Sequence, residues 1–103
     1  MEIILQAHHA DVPESLRTQA EEAIRRVAAR LHKVANAIVR FVGDGQTRRV
    51  EIVLRGSRYR ELVAVADARE FAPALNTAVH RLESQVARAR RSRRSGRSGD
   101  MPG

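Results

Sequence analysis

Residues 71 to 94, FAPALNTAVHRLESQVARARRSRR, carry an apolar stripe that has to be covered by something else in the chain. Leu75, Val79, Leu82, Val86 and Ala89 recur at steps of four and three, the spacing that lines side chains up on one face of an α-helix. Beyond Glu83 there is no acidic residue until Asp100, while Arg88, Arg90, Arg91, Arg93, Arg94 and Arg97 follow one another. One segment therefore offers a core face and a face suited to polyanions.

The rest of the chain supplies the missing surface. Residues 2 to 8, EIILQAH, are short and rich in β-branched side chains, and read as a strand with Ile3, Leu5 and Ala7 on one face. A polar turn, HHAD, leads into a first helix. Asp11 with Glu14 three residues on has the form of a helix start, and Pro13 falls in the first turn, where its missing N–H costs nothing. Leu16, Ala20, Ala23, Ile24, Val27 and Leu31 hold helical spacing to about Lys33. Residues 36 to 43, NAIVRFVG, read as a second strand that ends in the turn Gly43-Asp44-Gly45. In the third strand, from Arg48, Val50, Ile52 and Leu54 alternate with Arg49, Glu51, Val53 and Arg55. After a turn at Gly56-Ser57 a fourth strand starts at Arg60, apolar on both faces, which suits a central or partly covered place. Ser and Gly gather past residue 94, so residues 95 to 103 are expected to be a disordered tail.

The order is β-α-β-β-β-α, with short links that favour a meander of the last three strands. Two amphipathic helices must bury their stripes, and one face of the sheet is the large apolar surface on offer. The expected fold is α+β: a two-layer sandwich, a four-stranded sheet with two helices packed on one face. At 103 residues the chain amounts to one domain, here residues 1 to 94.

Composition narrows the functions. Aromatics make up 3%, so the core is built from Leu, Ile, Val and Ala, and base stacking is not the main binding mode. The absence of cysteine excludes disulfide scaffolds, cysteine-ligated zinc and thiol catalysis. MEIILQAHHADV has neither the basic leader nor the apolar run of a signal peptide, and no stretch approaches the ~18 apolar residues of a membrane helix. A soluble cytoplasmic protein with no membrane partner is expected.

The formal charge of +7 is lopsided: residues 84 to 103 hold six Arg against Asp100, a net +5, which leaves +2 for residues 1 to 83. Such asymmetry points to nucleic acid or another anionic surface. Every cation except Lys33 is Arg, which can bind phosphate through two donors, although a GC-rich genome also raises Arg over Lys.

His8, His9, His32 and His80 invite a metal site, but neighbours on a strand face opposite ways and no H-x-x-x-H pair occurs. Surface or turn histidine is the better account, and no metal or other cofactor is expected. No G-x-S-x-G, phosphate-cradling glycine loop or paired carboxylates appear, so no enzyme and no small-molecule substrate is expected. The basic residues form three groups that the fold can gather: Arg25, Arg26, Arg30 and Lys33 on the first helix; Arg55, Arg58 and Arg60 around the Ser57 turn; and Arg81, Arg88, Arg91 and Arg94 on the second helix. Any one group alone is usually a solvated charged face, and Glu21 and Glu22 fit that account beside Arg25 and Arg26. Past Glu83 such partners are missing, and uncompensated arginines favour phosphates. Tyr59, between Arg58 and Arg60, suits either stacking on a base or covering a sheet edge.

Order, length and local sequence together resemble the family of ribosome hibernation promoting factors and ribosome-associated inhibitors, over residues 1 to 94. The opening MEIILQAHHADVPESLR resembles the family's strand, polar turn and capped helix, with its early Leu-Arg pair at Leu16-Arg17. RLHKVANAIVRFV, residues 30 to 42, is similar to the family's basic-to-apolar passage into the second strand. The family's acidic-aromatic pattern, roughly D-x-Y-A-A-I-D, stands here as Glu70-Phe71-Ala72-Pro73-Ala74-Leu75-Asn76, with the Tyr lost and both acids altered. The resemblance implies a short-form member acting in translation regulation during stress, stationary phase or slow growth. It would bind ribosomal RNA in the decoding channel of the small ribosomal subunit and block the messenger and transfer RNA sites. It carries RNA contacts by position to Arg25, Arg26, Arg30, Lys33, Arg81, Arg88, Arg91 and Arg94; Arg55 and Arg58 join them as candidates from the Ser57 turn. The alternatives are a generic double-stranded RNA module and a protein-interaction or transcription-modulating domain.

Overall fold

The computed structural model describes residues 1–31, 33–56 and 61–99, the side chains of 91–99 excepted. Six elements follow in the expected order: β1 (Glu2–His8), α1 (Glu14–Ala28), β2 (Val34–Asp44), β3 (Thr47–Gly56), β4 (Leu62–Ala68) and α2 (Phe71–Gly99). The strands form one sheet in the order β1-β2-β3-β4. β1 runs parallel to β2, as its helical crossover requires, and β2, β3 and β4 form an antiparallel meander.

Alternation decides which residues go inside. Ala37, Val39 and Phe41 of β2, Val50, Ile52 and Leu54 of β3, and Ala64 and Ala66 of β4 are buried on one face. Leu16, Ala20, Ala23, Ile24 and Val27 of α1 and Ala74, Leu75, Ala78, Val79, Leu82 and Val86 of α2 pack on that face in a single cluster. Burying each large aliphatic side chain is worth about 1.5–3 kcal/mol, so this layer is the main source of stability. At one end Phe41 and Phe71 meet edge to face with ring centres 5.5 Å apart, and the Arg48 guanidinium lies 5.8 Å from the Phe71 ring. Phe71 thus anchors the first turn of α2.

Several local expectations change. α1 starts after Pro13, not at Asp11: Pro13 is the N-cap with extended backbone, its carbonyl accepts from the amides of Leu16 and Arg17, and no side chain caps the helix. α1 also stops at Ala28 rather than near Lys33. The amides of Arg30 and Leu31 reach back three residues to Val27 and Ala28, and Lys33 takes a left-handed φ of 57°, so the chain turns into β2. Gly45 opens the β2–β3 hairpin with a φ of 61°, but Gly43 is not part of that turn; it is a strand residue paired with Arg48. A Cβ on Gly43 would lie 2.4 Å from the carbonyl oxygen of His9, because the turn after β1 passes directly over it. Of the tail expected at 95–103, residues 95–99 continue α2 and 100–103 lie outside the described residues.

A candidate nucleic-acid interface at one end of the domain

The helix that follows each end of the sheet runs back along it toward the same place. Gln85 donates to the carbonyl of Val63 and Arg81 to that of Val65, so α2 descends alongside β4 toward its first residue, Leu62. Leu62, Gln85, Arg88 and Ala89 line a concavity of ≈ 330 Å³ there. A second, of ≈ 360 Å³, is lined by Met1, Arg25, Ala28, Ala29, Lys33 and Val34, where α1 ends and β1 and β2 begin. Both open at the end of the sheet where β1, β2 and β4 start and β3 ends.

Arg25, Arg26, Arg30, Lys33 and Arg88 are all exposed at or near this end. The i, i+4 pairs of Glu21 with Arg25 and Glu22 with Arg26, which the sequence offers as local neutralisation, do not form; the three ion pairs among the described residues involve neither helix. Arg25 and Lys33 line one concavity beside Met1, Ala28, Ala29 and Val34, and Arg88 lines the other beside Leu62 and Ala89, which suits a flexible polyanion that offers phosphates beside less polar sugar faces.

The other candidates go elsewhere. Arg55 is on the opposite, open face of the sheet, 2.8 Å from Glu61. Arg81 is spent in part on the Val65 carbonyl. Arg91 and Arg94 lie on the part of α2 whose side chains are not described, and Arg58 and Tyr59 fall outside the described residues. On the open face Arg40 faces Glu51 at 3.4 Å and Arg49 faces Asp67 at 2.9 Å. The hydrogen bond from Arg49 holds the Asp67 carboxyl below its ordinary range, and Asp67 raises Arg49 in return. Among the described residues the arginines of these two regions are thus divided: Arg40, Arg49 and Arg55 are paired with carboxylates on the open face, and Arg25, Arg26, Arg30 and Arg88 have no ion pair at the helical end. The sequence alone did not reveal this division, although the strict alternation of β3 placed Arg49, Glu51 and Arg55 together on one side.

Among the described residues no group of three or more His, Asp or Glu is placed to hold a metal ion, and no helix is long and apolar enough to cross a membrane.

A two-layer β-α-β-β-β-α domain with one basic end is the class these observations define. The sequence matches the family model described as sigma 54 modulation protein / S30EA ribosomal protein over residues 3–94. The chain belongs to that family, the ribosome-associated hibernation factors. Among solved structures, a ribosomal subunit interface protein from Coxiella burnetii superposes with a TM-score of 0.79 at 18% identity, covering 87% of this chain and 98% of that one. The N-terminal domain of Protein Y from Thermus thermophilus gives 0.74 at 22% identity, covering 85% and 98%. At these identities the likeness is one of fold. No curated protein sequence matches this one significantly.

Proposed function

We propose that this protein is a cytoplasmic translation inhibitor that binds ribosomal RNA in the decoding channel of the small subunit and occludes the messenger and transfer RNA sites. The observation that carries the reading is the basic end, where Arg25, Arg26, Arg30 and Lys33 from α1 and the turn after it and Arg88 from α2 are exposed without an ion pair among the described residues, Arg25 and Lys33 lining one concavity and Arg88 another. Membership of a ribosome-associated family supports it, as does the name of the Coxiella burnetii structure, a ribosomal subunit interface protein. The action is steric. Each arginine that meets a phosphate releases condensed counterions, so affinity comes from the sum of contacts, and the shape of the folded RNA chooses the site. α2 adds reach, because its arginine-bearing turns continue past Val86, the last fully buried residue of its core stripe among those described.

The test is co-sedimentation with purified small ribosomal subunits through a sucrose gradient at low salt. The protein is expected to travel with the subunit and to be released as salt rises. A protein that stays at the top of the gradient overturns the proposal, and equal affinity for plain duplex RNA replaces it with a duplex-binding module.

A further inference from the structure

The face of the sheet turned away from the helices carries a second pattern that RNA binding does not use. Register places Ile4, Ile38, Val53 and Val63 side by side across all four strands. Ile4 and Val63 are 37% and 42% exposed, two of the three most exposed large hydrophobic residues among those described. The next row runs Gln6, Arg40, Glu51, Val65, and on the far side of the apolar row Asn36 stands beside Arg55. Two polar atoms on this face are buried without a hydrogen-bond partner among the described residues: the acceptor Asn36 Oδ1 and the donor Arg40 Nε.

We propose that this face is a self-association surface that takes a second copy of the same chain, face to face, about a two-fold axis running along the strands between β2 and β3. That rotation lays β1 over β4 and β2 over β3 while keeping each row at its own height. Ile4 then meets Val63 of the second copy, and Ile38 meets its Val53. Arg40 meets a second carboxylate, Glu51 of the other copy. Asn36 meets the other copy's Arg55. A two-fold axis across the strands at the height of the apolar row also sets that row against itself, but it leaves Arg40 facing Asn36 of the other copy rather than a carboxylate. The offset of about 30° between packed twisted sheets moves the outer contacts most and leaves those of β2 and β3 in place.

Charge also selects the occupant. The chain carries +7, so most of its surface repels a second copy, but on this face Arg40, Arg49 and Arg55 are each matched by a carboxylate. Among the described residues the one like-charge approach is between Glu2 and Glu61, at the rim. At strand spacings of about 4.8 Å and about 3.3 Å per residue the face measures on the order of 440 Å² per copy. That is well below the ~800 Å² of a standard interface, so the dimer is weak, forming at tens of micromolar on the order-of-magnitude scale, and reversible. It leaves both basic ends free.

The experiment is sedimentation velocity of the full chain, freed of nucleic acid, from about 1 to about 500 µM, concentrations that bracket the weak affinity expected from so small a face. The wild type is expected to shift reversibly from monomer to dimer. Arg40→Glu sets two carboxylates against each other where Arg40 had met Glu51 of the other copy, and Glu51→Arg sets two guanidinium groups together there. Each variant alone is therefore expected to remain monomeric. An equal mixture of the two is expected to dimerise, because each then supplies the charge the other lacks. Val63→Lys, an exposed change on an edge strand, is expected to stay monomeric with its melting temperature unchanged, which guards against reading misfolding as dissociation. A wild type that is monomeric throughout overturns the proposal. So do single variants that dimerise like the wild type, or a mixture that does not associate.

Discussion

A Cβ at position 43 would come within 2.4 Å of a backbone oxygen that cannot swing aside, the His9 carbonyl. His9 itself has a left-handed φ of 55°, so the turn that crosses Gly43 is already in a conformation few side chains favour. Gly43→Ala is therefore expected to cost about 1–3 kcal/mol, the range for forcing extra atoms into a packed site. Thermal unfolding would register it as a fall of about 4–8 °C per kcal/mol; an unchanged melting temperature would mean the turn can lift away. Gly43-Asp44-Gly45 reads in sequence as turn chemistry, and for Gly45 that reading holds. For Gly43 the pattern misleads, because its requirement comes from another part of the chain crossing over it, and local composition does not encode such crossings. Arg81 teaches the same lesson: among the cations of α2 it looks like one more phosphate ligand, yet its guanidinium donates to the Val65 carbonyl.

At the level of whole elements, the strands were legible because one face of each is buried, and burial enforces alternation. β1 has the expected limits, and β2 and β3 extend by one or two residues at their ends. The end of α1 was less legible, since helical spacing of apolar residues persists to Leu31 while the backbone must already turn to reach β2. The apolar character of β4 on both faces, which suited a central or partly covered strand, fits an edge strand flanked by α2. Arg81 and Gln85, one turn apart on α2, donate to the carbonyls of Val65 and Val63 at 2.5 Å each. Replacing both with Ala is expected to cost about 1–3 kcal/mol in total, at about 0.5–1.5 kcal/mol per hydrogen bond. The same double variant is expected to scatter more light on standing at high concentration, because the edge is left bare. A variant as stable and as clear in solution as the wild type would show that these contacts do not protect β4.

Across the whole molecule the division of charge is the feature with most consequence for binding. Counting residues gives a net +7, but only the fold separates arginines that already have a carboxylate from those that do not. Replacing Arg25, Lys33 and Arg88 together with Ala is expected to weaken small-subunit binding. It is also expected to lower the slope of log affinity against log salt by about 2–3, close to one per lost phosphate contact, with the melting temperature unchanged. Replacing Arg49 and Arg55 on the open face is expected to leave that slope as it was. A triple variant with the full slope would move the RNA contacts off this end of the domain. The order of elements, the meander and the face that carries both helices were readable in advance because they follow from periodicity and short links. Which arginines are free was not, since that depends on pairs such as Arg49 and Asp67, set side by side only when β3 and β4 come together.

The sealing of β4 also bears on how the protein behaves when crowded. Extending a sheet from molecule to molecule requires two bare edges, one to receive a strand and one to offer the next. Among the described residues this molecule offers one, at β1, because α2 lies along β4 and occupies the carbonyls of Val63 and Val65. Edge-to-edge addition therefore stops after a single step, and a fibre has no way to propagate.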